Sequence, residues 1–141
     1  MMIETRPFGR IEVAEEAVID FPSGLYGLEG SRRYCLLPHG DSHGFFWLLS
    51  VDSPAIAMVV TDPFPFFPEY EVVISDPDAE ILGATVPSDV SIYTSVSVSR
   101  EGNEVTTNLL GPLAINHTAR RGLQLIQDGA RYTTRHPIGR T

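Results

Sequence analysis

The chain has 141 residues, of which 43 % are apolar and 20 % charged, a balance that suits one globular domain and excludes a disordered chain. Its formal net charge of −8 and its complete lack of lysine disfavour direct contact with nucleic-acid phosphates and favour steering of a basic protein. No apolar run reaches the about 18 residues of a membrane span, and the opening Met1-Met2-Ile3-Glu4-Thr5-Arg6 lacks the pattern of a secretory leader, so a cytoplasmic protein is expected.

In chain order, Ile11 and Val13, then Val18, Ile19 and Phe21, suggest an opening meander. Phe21-Pro22-Ser23-Gly24-Leu25-Tyr26-Gly27 carries glycines but no lysine and no following helix. It reads as a turn in which Gly24 and Gly27 take positive φ rather than as a phosphate loop. Tyr34–Leu37, Phe45–Val51 and Ala55–Val60 are apolar runs of strand length. Cys35, the single cysteine, lies in the first of them and reads as a small buried hydrophobe. Ser75 or Asp76 can cap a two-turn helix with Pro77 in its first turn, Asp78 and Glu80 near its positive end, and Gly83 closing it. Val90–Ser99 alternates strictly. Val90, Ile92, Thr94, Val96 and Val98 share the face expected to be buried, and serines occupy most of the other. Arg100-Glu101-Gly102-Asn103 then turns the chain so that Glu104–Leu110 returns antiparallel.

Many short strands with one short helix define a mostly β, compact, antiparallel single domain, as a barrel or a sandwich. The domain is drawn over residues 1–127. Residues 128–141 are polar, share in the clustering of arginines after Arg120, and are expected as a flexible tail.

Chemistry-bearing patterns are sparse. There is no Gly-x-Ser-x-Gly elbow, and no catalytic set is assigned. His39-Gly40-Asp41-Ser42-His43 has metal-like residue types in a turn but no third strong ligand in view. No metal or cofactor is therefore expected, and a small-molecule- or metal-binding barrel using this loop stands as the alternative function. Asp62–Tyr70 is the densest segment, with four aromatics and three prolines in nine residues. Its prolines exclude an inner strand. Its rings either plug the end of the core or form a rigid platform for a partner. Asn108 and Asn116 flank the Gly111-Pro112 break, placed either to bond backbone at a strand kink or to face a partner's main chain.

These segments resemble the flagellar assembly factor family FliW. The resemblance rests on Ile19–Glu29, with Leu28 where the family usually has phenylalanine. It rests also on Phe45–Val51, with Leu49 where many members have glutamine, and on Ala57–Val60 followed by Pro63, Phe66, Phe67 and Tyr70. The last part is Thr107-Asn108-Leu109 with Pro112, Ile115 and Asn116, then Gly122-Leu123-Gln124. It implies a β-barrel-like protein without catalytic activity that binds newly made flagellin. It further implies binding to the translational repressor CsrA, largely away from the RNA site, so that flagellin synthesis is coupled to export. The contact residues expected on this basis are Glu29, Phe66, Phe67, Tyr70, Asn108 and Asn116, with Phe64 added for its expected exposure.

Overall fold

The computed structural model describes residues 1–41 and 43–140, the side chain of Arg140 excepted. Strands β1 (Met2–Thr5) and β2 (Gly9–Glu12) form an antiparallel hairpin outside the main sheet, in register from Met2↔Glu12 to Thr5↔Gly9. Thr5 Oγ1 donates to Gly9 O at 2.9 Å and accepts from the Phe8 amide at 3.1 Å, which ties the turn. After the short β3 (Ile19–Asp20), the three apolar runs become β4 (Arg33–Pro38), β5 (Phe45–Ser50) and β6 (Ala57–Thr61), paired antiparallel in chain order.

Helix α1 spans Asp76–Leu82 and is specified locally. Ser75 Oγ accepts from the Asp78 amide at 3.2 Å, Pro77 sits in the first turn, and Gly83 ends the helix at φ +67°, in the left-handed region that a side chain disfavours. Strands β7 (Ser91–Val98) and β8 (Glu104–Thr107) form the expected hairpin, β9 (Leu113–Asn116) and β10 (Arg121–Gln124) form another, and β11 (His136–Arg140) pairs antiparallel with β8.

The main sheet closes into a ring. Its order runs β7-β6-β5-β4-β3-β10-β9, and β9 pairs back onto β7 through Ser91↔Ile115 and Tyr93↔Leu113. Strand β7 can do this because it is long: its first residues bind β9, Thr94 and Ser95 bind β6, and Val96–Val98 bind β8. Closure also needs the parallel join of β3 to β10, which rests on Asp20↔Arg121 and on the Asp20 amide donating to Arg120 O at 2.9 Å.

Three apolar clusters explain the unbroken runs. Phe21, Tyr34, Leu48, Val60 and Ile115 fill the ring's interior. Alternate residues on the outer face, Cys35 and Leu49, lie beneath Ile3 and Val13 of the N-terminal segment. Ala114 and Leu123 lie beneath Leu82 of α1. Strands covered on both faces lose the polar half of their alternation, and each fully buried leucine contributes about 1.5–3 kcal/mol. Burial pushes the Cys35 thiol above its usual range, as suits a packed hydrophobe rather than a nucleophile.

Two expectations need correction. The alternation in β7 does not separate one buried face from one exposed face: Ile92 packs towards α1 while Tyr93 packs into the ring, and Val98 is exposed. The cause is that β7 runs from the ring into a flap, with β8 and β11, that leaves its far end uncovered. Residues 128–140 also do not read as a tail. Leu109 and Leu110 donate their amides to Thr133 O at 3.1 Å, and His136–Arg140 complete the flap. Thr141, the end of that expected tail, lies outside the described residues.

Candidate protein-binding surface

The aromatic loop leaves β6 at Asp62. Asp62 Oδ1 accepts from the Phe64 amide at 3.1 Å, and Pro63 O accepts from the amides of Phe66 and Phe67 at 3.1 and 2.9 Å. Pro63 is itself buried, so the loop is a compact turn anchored at its root. This geometry sorts the rings. Phe64 and Phe66 are 38 % and 39 % exposed, Phe67 is half-buried, and Tyr70 is only 6 % exposed.

Tyr70 is a packing residue. Its hydroxyl donates to Leu109 O at 2.6 Å, and its ring meets Tyr132 edge-on at 5.0 Å. Burial, with a smaller contribution from Tyr132, pushes its phenol well above the usual range, which keeps it a donor. Phe64 rests on this base, 5.9 Å from Tyr70, while Phe66 lies 6.1 Å from Phe45 and the half-buried Phe67 lies 5.8 Å from His136. Between the loop and residues 131–136 is a cleft of about 440 Å³, lined by Phe66, Phe67, Tyr70, Tyr132 and His136 among others. Neither of the last two belongs to a motif, and His136 stands isolated in the sequence. A lone tyrosine in a polar segment was the signal available for Tyr132.

The asparagines bond backbone within the chain. Asn108 Oδ1 accepts from the Gly111 amide at 2.9 Å, across the kink before Pro112. Asn116 is buried. Its Nδ2 donates to Leu82 O at 3.0 Å and its Oδ1 accepts from the Ala119 amide at 3.2 Å, so it satisfies the C-terminal end of α1. Asn116→Leu is therefore expected to lower folding stability by about 1–3 kcal/mol in urea denaturation, because the Leu82 carbonyl stays buried without its donor.

Glu29 stands apart from the aromatic loop. It is exposed, and its Oε2 accepts from the Gly27 amide at 2.6 Å. Gly24 and Gly27 take φ of +67° and +81°, as their turn requires. A methyl at Gly24 would approach Glu29 Cα to 2.8 Å, so the turn is folded tightly on itself. The Tyr26 amide donates to Gln124 Oε1 at 2.9 Å and Gln124 Nε2 donates to Gly111 O at 3.0 Å, which joins the 21–29 turn to the Gly111-Pro112 break.

In the His39–His43 loop, the His39 ring lies against Trp47 at 5.3 Å, and Ser42 lies outside the described residues. Among the described residues, no three His, Cys, Asp or Glu side chains gather as a metal-ligating group.

Fold and surface together define a small, mostly β protein with a ring-like sheet and an aromatic loop anchored at its root. A family model described as FliW protein matches residues 2–138. The chain is 35 % identical to "Flagellar assembly factor FliW" of Treponema denticola, covering 98 % of this chain and 93 % of that one. It is 38 % identical to the factor of the same name from Alkaliphilus metalliredigens, covering 98 % and 86 %. A structure described as "Crystal structure of the flagellar assembly factor FliW" superposes with a TM-score of 0.88 at 33 % identity, covering 97 % of this chain and 96 % of that chain. The chain belongs to the FliW family.

Proposed function

We propose that this protein works in the cytoplasm by binding two proteins, flagellin and the translational repressor CsrA, and couples flagellin synthesis to export without catalysing a reaction. Phe64 and Phe66, held part-exposed on a turn rooted in the core, carry this reading. Rings presented on a fixed base supply contact area at little cost in conformational entropy. The half-buried Phe67 edge and the Glu29 carboxylate complete the proposed contacts. Tyr70 supports the loop beneath Phe64, while Asn108 holds the kink and Asn116 the end of α1. Membership of a family of flagellar assembly factors supports a protein partner. The charge of −8 supports a basic one, chiefly through the association rate.

Titration calorimetry with purified flagellin and with CsrA tests this directly. Saturable binding of both is expected, and absence of binding to either at micromolar concentration would reject it. Phe66→Ala is expected to weaken the contact it makes by about 2 kcal/mol, roughly 30-fold, with little change in Tm. An unchanged affinity for both partners would remove the ring from the interface.

A further inference from the structure

A second groove, of about 780 Å³, lies between the 23–29 turn and α1. Its floor is Leu123 and Leu125, both buried. Its sides carry apolar groups that the core leaves out: Tyr26 is 66 % exposed, Ile126 is 58 % exposed, and Ile81 projects from the last turn of α1. These residues are brought together by the fold alone, since Tyr26 and its hydrogen-bond partner Gln124 are 98 residues apart. The groove is pre-formed. Gln124 pins the Tyr26 amide, Glu29 pins that of Gly27, and Leu82 seats α1.

The charged residues that line the groove are of one sign, and the nearest cation, Arg121, is engaged with its Nη1 donating to Ile81 O at 3.4 Å. Glu29 and Asp78 line it, with no basic side chain among the lining residues, and Asp78 sits one helical turn from Ile81. The backbone supplies a further feature. The amides of Leu125 and Gln127 donate to Pro112 O and Leu110 O, both at 2.8 Å, so this run continues the extended pairing past the end of β10. In an extended run the intervening amide, that of Ile126, points to the opposite edge, where the groove lies. Among the described residues, it has no internal acceptor.

We infer that this groove is a docking site for an extended segment of a partner protein in which arginine or lysine alternates with aliphatic residues. The aliphatic side chains would cover Tyr26, Ile81 and Ile126, the basic ones would meet Glu29 and Asp78, and a main-chain carbonyl would accept from the Ile126 amide. The site is separate from the aromatic loop; it shares only Glu29 with the contacts proposed above and stands or falls independently of Phe64 and Phe66.

The probe is a short synthetic peptide of alternating leucine and arginine, titrated into the full-length isotope-labelled protein, with leucine–glutamate and serine–arginine peptides beside it. The leucine–arginine peptide is expected to shift the amides of Tyr26, Ile81 and Ile126 saturably and to leave those of Phe64 and Phe66 unmoved. Ile126→Ser is expected to weaken it by about tenfold. The double variant Glu29→Gln, Asp78→Asn is expected to weaken it by about fivefold and to flatten its salt dependence. Phe66→Ala is expected to leave it unchanged, and all variants should keep the parent Tm. Absence of saturable shifts, equal binding of the serine–arginine or leucine–glutamate peptide, or shifts confined to the aromatic loop would each overturn the inference. Flagellin and CsrA take no part in this assay, so its failure is distinguishable from failure of the proposed function.

Discussion

Tyr70→Ala is expected to cost about 3–5 kcal/mol of folding stability in urea or thermal denaturation. The phenol ring is almost wholly enclosed, it supports Phe64 on one side and Tyr132 on the other, and its hydroxyl satisfies the Leu109 carbonyl. Removing the ring opens a cavity and at once leaves the buried Leu109 carbonyl without its donor. Tyr70→Phe separates these contributions. It keeps the ring and leaves the Leu109 carbonyl unpaired, for an expected loss of about 1–3 kcal/mol. The comparison with Phe66→Ala is the informative one. The two residues sit in the same loop, and one should report in stability while the other reports in binding. If Tyr70→Ala left stability within about 1 kcal/mol of the parent, the assignment of Tyr70 to the core would fail.

Gly122→Ala is expected to lower stability by about 3 kcal/mol, the upper part of the usual range for overpacking. A Cβ at this position would lie 2.6 Å from Cε1 and Cε2 of Phe21, and closer still to Cζ. The ring cannot retreat, because Phe21 is fully buried and packs edge-on against Tyr34 with centroids 5.3 Å apart. Gly122 thus serves close approach rather than an unusual φ, and two of the sequence segments that carry the family resemblance meet at this contact. Combining Gly122→Ala with Phe21→Leu should cost less than the sum of the single losses, since the smaller side chain vacates the space the methyl needs. Strict additivity of the two would show that the ring and the glycine do not share one site.

How far the fold could be read from residues alone depended on how local its causes are. Helix α1 was legible because its signals, Ser75, Pro77 and Gly83, act on their immediate neighbours. The centres of β4, β5 and β6 were legible because cover on both faces left unbroken apolar runs. Strands β1 and β11 were not. The first contributes only Ile3 to a satellite cluster, and the second, His136–Arg140, has neither an apolar run nor an alternation and is held by backbone pairing with β8. Ring closure was equally hidden, since Asp20↔Arg121 and Ser91↔Ile115 are main-chain pairings with no side-chain signature.

The candidate surface divides along the same line. The sequence by itself determined that Asp62–Tyr70 is a rigid aromatic segment, because proline removes donors and fixes φ wherever it stands. It also determined that the chain is acidic, without lysine, and mostly β, since these follow from composition and short-range pattern. Only the tertiary structure decided that Tyr70 and Asn116 are internal while Phe66 faces outward beside Phe64, whose exposure was expected. Only it placed Glu29 beside Tyr26 and Ile126, away from the aromatic loop. The physical reason is that exposure in an irregular loop has no period to betray it. Which aromatic side chain is buried depends on what residues distant in the chain are brought to cover: Leu109 and Tyr132 cover Tyr70, and the bonds of Leu109 and Leu110 to Thr133, with the pairing of β11 and β8, hold that segment there.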